Sequence, residues 1–185
     1  MAERKDTQRQ DVRIARSRAA MREALLNLLE ETALEEITGA LVAARAGVGY
    51  ATYFRHYQNV RELLMDTVVT LATDLAARIM PALIAAEPGG AATLLAEAVQ
   101  ARRGAFTALL NGAGDETRGI LMRHIADQIS HFPDLSPPWL PHRLALRFAI
   151  ASTVELLDWW LREDPYRPAD EVAAMLDRLV FAPLR

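Results

Sequence analysis

The stretch ITGALVAARAGVGYATYFRHYQNVRELL, residues 37–64, decides the fold of this chain. The hydroxyl of Thr38 can accept hydrogen bonds from the free N–H groups of a helix start, which predicts a short helix over about 39–45. Gly47 can adopt the positive φ that ends one helix and lets a second begin close by. That second short helix is predicted over about 50–56. Two short helices joined by a glycine turn form a helix-turn-helix, whose second helix enters a DNA major groove.

The order of residues in this stretch resembles the DNA-binding domain of the TetR family of transcriptional regulators. The resemblance covers roughly residues 12–65. The positions that carry it are Val42, Ala43, Ala46, Gly47, Val48, Ala51, Thr52, Tyr53, Phe54, Arg55, His56, Tyr57, Asn59, Arg61, Glu62 and Leu63. It implies an all-α, two-part protein of about nine helices, with the helix-turn-helix DNA-binding domain at 12–65 and a larger ligand-binding and dimerisation domain at 66–185.

Four residues depart from the family pattern. Gly49 stands where the family usually has Ser, and Tyr50 where it often has Lys or Arg. Phe54 replaces a usual Tyr, and Val60 replaces a frequent Lys. Each change removes a hydrogen-bond donor or a charge from the DNA-facing surface. Two alternatives therefore stay open, a DNA-binding regulator and a dimeric helical sensor or interaction protein with weakened or lost DNA binding.

The resemblance also implies roles for individual residues of the second helix. Thr52 and His56 fall where the family contacts phosphates, and Tyr50 where it contacts bases or backbone. Phe54 can stack only on a sugar or on a thymine methyl, whereas Arg55 can reach a phosphate or a guanine edge. Tyr53 and Tyr57 match buried apolar positions. The candidate DNA-binding residues are Arg16, Thr38, Tyr50, Thr52, Phe54, Arg55 and His56.

Composition and charge agree with a helical DNA-binding protein. Apolar residues recur at three- and four-residue spacing, which is typical of an all-α chain. Residues 1–22 contain seven Lys or Arg against three Asp or Glu, whereas residues 66–185 contain eleven against fifteen. A basic end on an acidic body is typical of a DNA binder with a separate partner-binding body, although a solvated basic terminus explains it equally well. Residues 1–11 are polar and aperiodic and predict a flexible basic arm before a first helix from Val12 to Thr32.

The same composition excludes several classes of protein. There is no cysteine, and therefore no disulfide and no thiol chemistry. The longest uncharged run, between Arg103 and Asp115, is too short to cross a bilayer, and no secretory segment is recognisable. We expect a cytoplasmic protein.

The C-terminal half predicts a dimer. The stretch 141–163 is apolar nearly all round, and a helix of that kind must be buried on every side. We therefore expect one of its faces to contact its own core and another to contact a second subunit. This helix, a short turn and an amphipathic helix at 169–181 resemble the dimer-forming pair of TetR-type regulators. The candidate interface residues are Phe148, Trp160, Val172, Leu176 and Leu179.

A ligand pocket is the second expectation for this half of the chain. Met80, Phe106, Met122 and Trp159 lie on different predicted helices and could converge around a small, mostly apolar molecule. Glu155 has no obvious partner within its helix, so it could supply the polar group of such a pocket. The alternative is a solid core and a Glu155 that reaches an Arg across the dimer.

No pattern indicates an enzyme or a bound cofactor. The chain lacks a nucleophile elbow, a Walker loop and the metal-binding H-E-x-x-H motif. The spacing of His124, Asp127 and His131 is only a weak metal signal, and we expect no metal. The sequence as a whole predicts a homodimeric repressor that a small molecule releases from a palindromic DNA operator.

Overall fold

The computed structural model describes residues 2–112 and 115–184, with side chains described for 10–110, 119 and 122–183. Within these residues the backbone forms nine α-helices and no β-strand, which confirms the all-α prediction. The helices are α1 (Ala2–Glu31), α2 (Gly39–Arg45), α3 (Tyr50–His56), α4 (Val60–Ile84), α5 (Gly90–Ala101), α6 (Arg103–Gly112), α7 (Asp115–Ile129), α8 (His142–Arg162) and α9 (Ala169–Leu176). A π-helical turn, Asp177–Phe181, directly continues α9.

The chain divides into two compact units, Met1–Thr67 and Val68–Arg185. The division lies two residues after the predicted boundary at residue 65. The first unit contains α1 to α3 and the start of α4, and the second contains the remaining elements.

The backbone corrects the predicted start of the first helix. α1 begins at Ala2, so residues 2–11 are helical rather than an arm; they contain neither Gly nor Pro, and nothing in them stops a helix. Pro81 does not end α4, because the following turn still closes through the hydrogen bond from the Ala85 N–H to the Pro81 carbonyl at 2.9 Å.

The helix-turn-helix forms as its sequence predicts. Thr38 Oγ1 accepts a hydrogen bond from the Leu41 N–H at 3.2 Å, which caps α2. Gly47 has a φ of 64°, and the Val48 N–H returns to the Ala43 carbonyl at 3.0 Å. The turn is therefore closed by backbone bonds that depend on the left-handed conformation of one glycine.

The core of the second unit contains three of the five candidate dimer residues. Trp160, Val172 and Leu176 are fully buried within the chain's own core. The Trp160 indole N–H donates to the Arg167 carbonyl at 3.0 Å, and the Arg103 guanidinium lies 4.9 Å from the indole ring. These three residues cannot form an interface with a second subunit, so that part of the prediction is wrong.

The core of the first unit depends on a close contact between α2 and α3. The Tyr53 side chain is fully buried, and its ring lies against the backbone of Gly39. A Cβ added to Gly39 would lie 2.6 Å from the Tyr53 Cε1 atom, well inside van der Waals contact. The absence of a side chain at Gly39 is what admits the ring.

We expect Gly39→Ala to destabilise the first unit by about 1–3 kcal/mol, because the ring or the helix must move to admit the methyl group. Denaturant unfolding of the two proteins measures the difference. Gly49→Ala is the matched control, since its Cβ would meet only Thr52 Oγ1 at an ordinary 3.8 Å. Equal losses of stability in the two variants would contradict the account.

Candidate nucleic-acid interface and ligand cavity

One side of α3 carries exposed aromatic side chains. Tyr50 is 61% exposed and Phe54 is 46% exposed. Their rings pack edge to face with centroids 4.6 Å apart, which is a favourable aromatic geometry. Phe54 also contacts the buried ring of Tyr53, at 5.2 Å between centroids. The helix therefore displays an aromatic surface supported from below by the core.

The other candidate DNA-binding residues also lie at the surface of the first unit. Arg16, Thr38 and Arg55 are exposed, and Thr52 and His56 are half-buried. Burial lowers the pKa of His56, and the positive charges of Arg18 and Arg55 lower it further. The neutral imidazole is therefore favoured, unless an anion such as a phosphate lies beside it.

An ionic cluster lies behind this surface. The Asp66 carboxylate accepts hydrogen bonds from Arg18 Nη2 at 2.8 Å, from Arg22 Nη1 at 3.0 Å and from the Tyr57 hydroxyl at 2.5 Å. Arg18 also lies over the Tyr57 ring, with its guanidinium carbon 5.7 Å from the centroid. We call these four residues the Asp66 cluster. It joins α1, the end of α3 and the first two turns of α4.

Burial alone would raise the pKa of the Asp66 carboxyl, but the hydrogen bonds from Tyr57 and Arg22 and the charges of Arg18 and Arg22 outweigh it, so the pKa lies below its ordinary value of 3.8. Burial and the hydrogen bond to Asp66 raise the pKa of Tyr57. The carboxylate is therefore ionised and the phenol protonated near neutral pH. The sequence predicted Tyr57 as a buried apolar residue, and its hydroxyl contact was missed.

A cavity of about 280 Å³ lies within the second unit, close to the lower end of the roughly 300–1,000 Å³ of ligand sites. Its lining is almost entirely apolar and comes from α4 to α8, the loop before α8 and Phe181. Eight lining residues belong to α4: Val68, Leu71, Ala72, Leu75, Ala76, Ile79, Met80 and Leu83. These residues recur at three- and four-residue spacing, so one face of α4 lines the cavity.

The cavity separates the predicted ligand residues into two groups. Met80, Phe106 and Met122 line it, whereas Trp159 and Glu155 do not. Trp159 packs under the Arg167 guanidinium, at 5.5 Å from the ring. Glu155 is exposed. Its apolar neighbours in the sequence lie on other faces of α8. The expectation that Glu155 lines the pocket is therefore wrong.

The loop before α8 carries polar side chains that the sequence did not indicate. Asp134 Oδ1 accepts hydrogen bonds from the Ser136 N–H at 2.9 Å and from the Ser136 hydroxyl. His142 Nδ1 lies 2.8 Å from the same oxygen. Both Ser136 and His142 line the cavity. No sequence motif identifies this cluster, because its residues meet only through the conformation of the loop.

The surface of the second unit carries exposed apolar side chains from α8 and the π-helical turn. Phe148 is 56% exposed and Leu179 is 62% exposed, as the dimer prediction requires of them. Leu144, one turn before Phe148, is exposed as well. Such side chains are available to a partner, unlike those of the buried core.

A metal site and a membrane-spanning segment have little support. Among the described residues, no group of three His, Cys, Asp or Glu side chains could hold a metal ion, and Asp127 pairs with Arg143 at 3.2 Å. By length and composition, α4 is the one helix of the described chain that could cross a membrane, which is weak evidence by itself.

No protein-family model and no curated protein matches the sequence, but solved structures match the fold. The repressor AlkX from Dietzia, implicated in biodegradation of n-alkanes, is 18% identical with a TM-score of 0.66 over 90% of this chain and 94% of that one. A TetR regulator from Rhodococcus is 17% identical with a TM-score of 0.63 over 92% and 99%. Thermus thermophilus FadR, a TetR family repressor in complex with lauroyl-CoA, is 16% identical with a TM-score of 0.63 over 91% and 95%.

The chain has the TetR-family fold. Its helix-turn-helix is α2 and α3, and its larger C-terminal part is α5 to α9 with most of α4. This confirms the fold that the sequence resemblance implied. In this TetR fold, the Asp66 cluster holds the end of the second helix of the helix-turn-helix.

We expect Asp66→Asn to lower the free energy of unfolding by about 1–3 kcal/mol, because two arginines and a phenol lose their charged partner. The lowered pKa of Asp66 means that this contribution is fully present above pH 3.8 and is lost as pH falls through the lower folded-state pKa. Urea unfolding between about pH 7 and pH 3 measures both effects.

Asp74→Asn is the control for this substitution, since Asp74 is an exposed carboxylate on the same helix. It should change stability by less than about 0.5 kcal/mol. An Asp66→Asn protein as stable as the control variant at neutral pH would show that the Asp66 cluster does not stabilise the unit.

Proposed function

We propose that the protein is a DNA-binding transcriptional regulator, with α3 as its recognition helix. The observation that carries the proposal is the capped and glycine-turned pair α2–α3, which leaves Tyr50, Phe54 and Arg55 exposed on one short helix. The solved structures of similar fold are described as regulators, which supports a regulator rather than an enzyme. A regulator of this kind acts in the cytoplasm.

The charge on this surface favours a phosphate backbone as the partner. Arg55 and Arg16 are exposed, and His56 gains charge only where an anion can stabilise its imidazolium. Arg45 contributes less, because both of its terminal nitrogens bond to Glu31, at 3.0 and 2.8 Å. Since Phe54 cannot donate, its contact with DNA must be apolar, to a sugar or to a thymine methyl.

The cavity supports a small apolar effector. The apolar part of such a molecule would lie against α4. This helix contains Asp66 and, directly after it, the cavity-lining residues Val68 and Leu71. A ligand that favours one position of these α4 residues would shift the balance between DNA-competent and incompetent forms. We propose that the effector releases a repressor from its operator. The lauroyl-CoA complex of the Thermus FadR supports a ligand with an aliphatic chain.

A homodimer completes the proposal. A two-fold dimer presents two recognition helices to two half-sites, so the operator is a palindrome. The exposed apolar residues Leu144, Phe148 and Leu179 supply the interface, in place of the buried Trp160 and Leu176.

DNA binding is the direct test of the proposal. Affinity for a genomic fragment selected by the purified protein should fall linearly with salt in a log–log plot, because each neutralised phosphate releases counterions. Arg55→Ala should reduce the magnitude of that slope by about one. Arg78→Ala, which removes another exposed charge, from the second unit, should leave the slope unchanged. Fluorescence anisotropy over a salt series measures both.

Absence of binding to any genomic fragment at low salt would reject the regulator. Together with an intact dimer, it would favour the alternative, a dimeric helical sensor that has lost DNA binding. Relative to the family pattern, a positive charge is lost at Tyr50 and a hydroxyl donor at Phe54, and these losses keep this alternative in view.

The dimer is tested by substitutions on the exposed apolar surface. Phe148→Glu and Leu179→Glu should each raise the dimer dissociation constant roughly 100-fold or more, because an unpaired carboxylate in an interface costs about 3 kcal/mol or more. Ile84→Glu, at an exposed apolar residue of α4, is the control and should leave the dimer intact. Sedimentation equilibrium measures all three, and unchanged dimers in the two test variants would place the interface elsewhere.

A further inference from the structure

The polar groups of the cavity are few and lie mainly at one end. Among the described residues that line it, only Ser136, His142 and Thr153 have polar side chains, and none carries a fixed charge. Ser136 and His142 meet through Asp134. Thr153 is eleven residues along α8 from His142, roughly 16 Å away at 1.5 Å per residue. A ligand with an apolar body therefore meets one polar cluster at the end formed by the loop.

The hydrogen-bond partners within this cluster fix where its protons are. An ionised carboxylate only accepts hydrogen bonds, so His142 Nδ1, at 2.8 Å from Asp134 Oδ1, must carry the proton and donate it. In the neutral imidazole, Nε2 is then an acceptor. The Ser136 hydroxyl donates to the same carboxylate, so its oxygen is left with acceptor capacity only. The cluster therefore offers a ligand only hydrogen-bond acceptors, His142 Nε2 and the Ser136 hydroxyl oxygen.

The charge of the cluster further restricts the chemical class of the ligand. The hydrogen bonds from the Ser136 hydroxyl and N–H, together with His142, lower the pKa of the Asp134 carboxyl, so Asp134 is a negative charge at neutral pH. Among the described residues that line the cavity there is no Arg or Lys to offset a second negative charge. A ligand carboxylate placed here would meet the like charge of Asp134, whereas a hydroxyl group would meet an acceptor that it can satisfy, Nε2 of the neutral imidazole.

We infer that the cavity binds an aliphatic alcohol, whose chain lies among the apolar residues and whose hydroxyl donates to His142 Nε2. The inference rests on the proposed effector site and names its ligand class. Asp134 and Ser136 act as positioning residues, since they hold the imidazole in the tautomer that accepts. The competing explanation is that the Asp134–His142 contact only ties the loop to the start of α8, in which case the cavity would not distinguish donors from acceptors.

Titration calorimetry on the full chain without DNA tests the inference at about pH 8. The probes are decanol, the methyl ether of the same chain length, and decanoate. Decanol should bind roughly five- to tenfold more tightly than the ether, which lacks the donor, and decanoate should bind more weakly than decanol.

His142→Phe should reduce the ratio of decanol to ether affinity to about one while ether affinity persists, which also shows that the cavity is intact. His142→Gln keeps an acceptor oxygen and should retain part of the preference. His131→Phe, the same change at an exposed histidine outside the cavity, should retain all of it. Equal binding of decanol and ether by the unchanged protein, tighter binding of decanoate, or an undiminished preference in His142→Phe would each overturn the inference.

Failure of this inference is distinguishable from failure of the proposed function. The calorimetry needs no DNA, so an alcohol preference that depends on His142 supports the ligand class even if no operator is bound. If DNA is bound with the expected salt dependence and the three probes bind alike, the regulator stands and the alcohol is excluded.

Discussion

The Asp66 carboxylate is the constraint on which the first unit depends. It accepts hydrogen bonds from Arg18 and Arg22 of α1 and from Tyr57 at the end of α3. Because a partly buried ion stabilises a fold only when its hydrogen-bonding capacity is satisfied, the geometry of all three donors matters. These hydrogen bonds hold the end of α3 against α1. The ring of Tyr53 packs against Gly39 and so holds α3 against α2. A short helix of seven residues, too short to be stable alone, is thereby held with its aromatic side exposed.

The second unit combines a closely packed core with an apolar cavity. Trp160, Val172 and Leu176 pack with α5 into a core without solvent exposure. The cavity has a volume of about 280 Å³ and is lined by α4 and α6 to α8 among others. An aliphatic chain bound there would contact the apolar lining, and these contacts are the source of affinity for the effector that we propose.

Local signals made the helix-turn-helix predictable from sequence. The Thr38 cap and the Gly47 turn act within a few residues, so they gave the bounds of α2 and α3, and the resemblance gave the burial of Tyr53. The Asp66 cluster was missed because it joins Arg18 to residues that lie 39 and 48 positions further along the chain. The dimer residues were partly wrong, because apolar periodicity cannot tell a face that meets its own core, as at Trp160, from one that remains exposed, as at Phe148.

The same limit explains the errors around the cavity. Glu155 was assigned to a pocket from its apolar neighbours in sequence, which surround a helical residue on several faces rather than in space. The cluster at His142 depends on the path of a loop, which sequence periodicity does not predict.

The measurement that tests the central claim most directly is footprinting of the purified protein on genomic fragments that it selects. The account predicts protection of two half-sites related by two-fold symmetry, with protection lost in Arg55→Ala at moderate salt. Uniform cleavage of every fragment, with the folded dimer present, would contradict it.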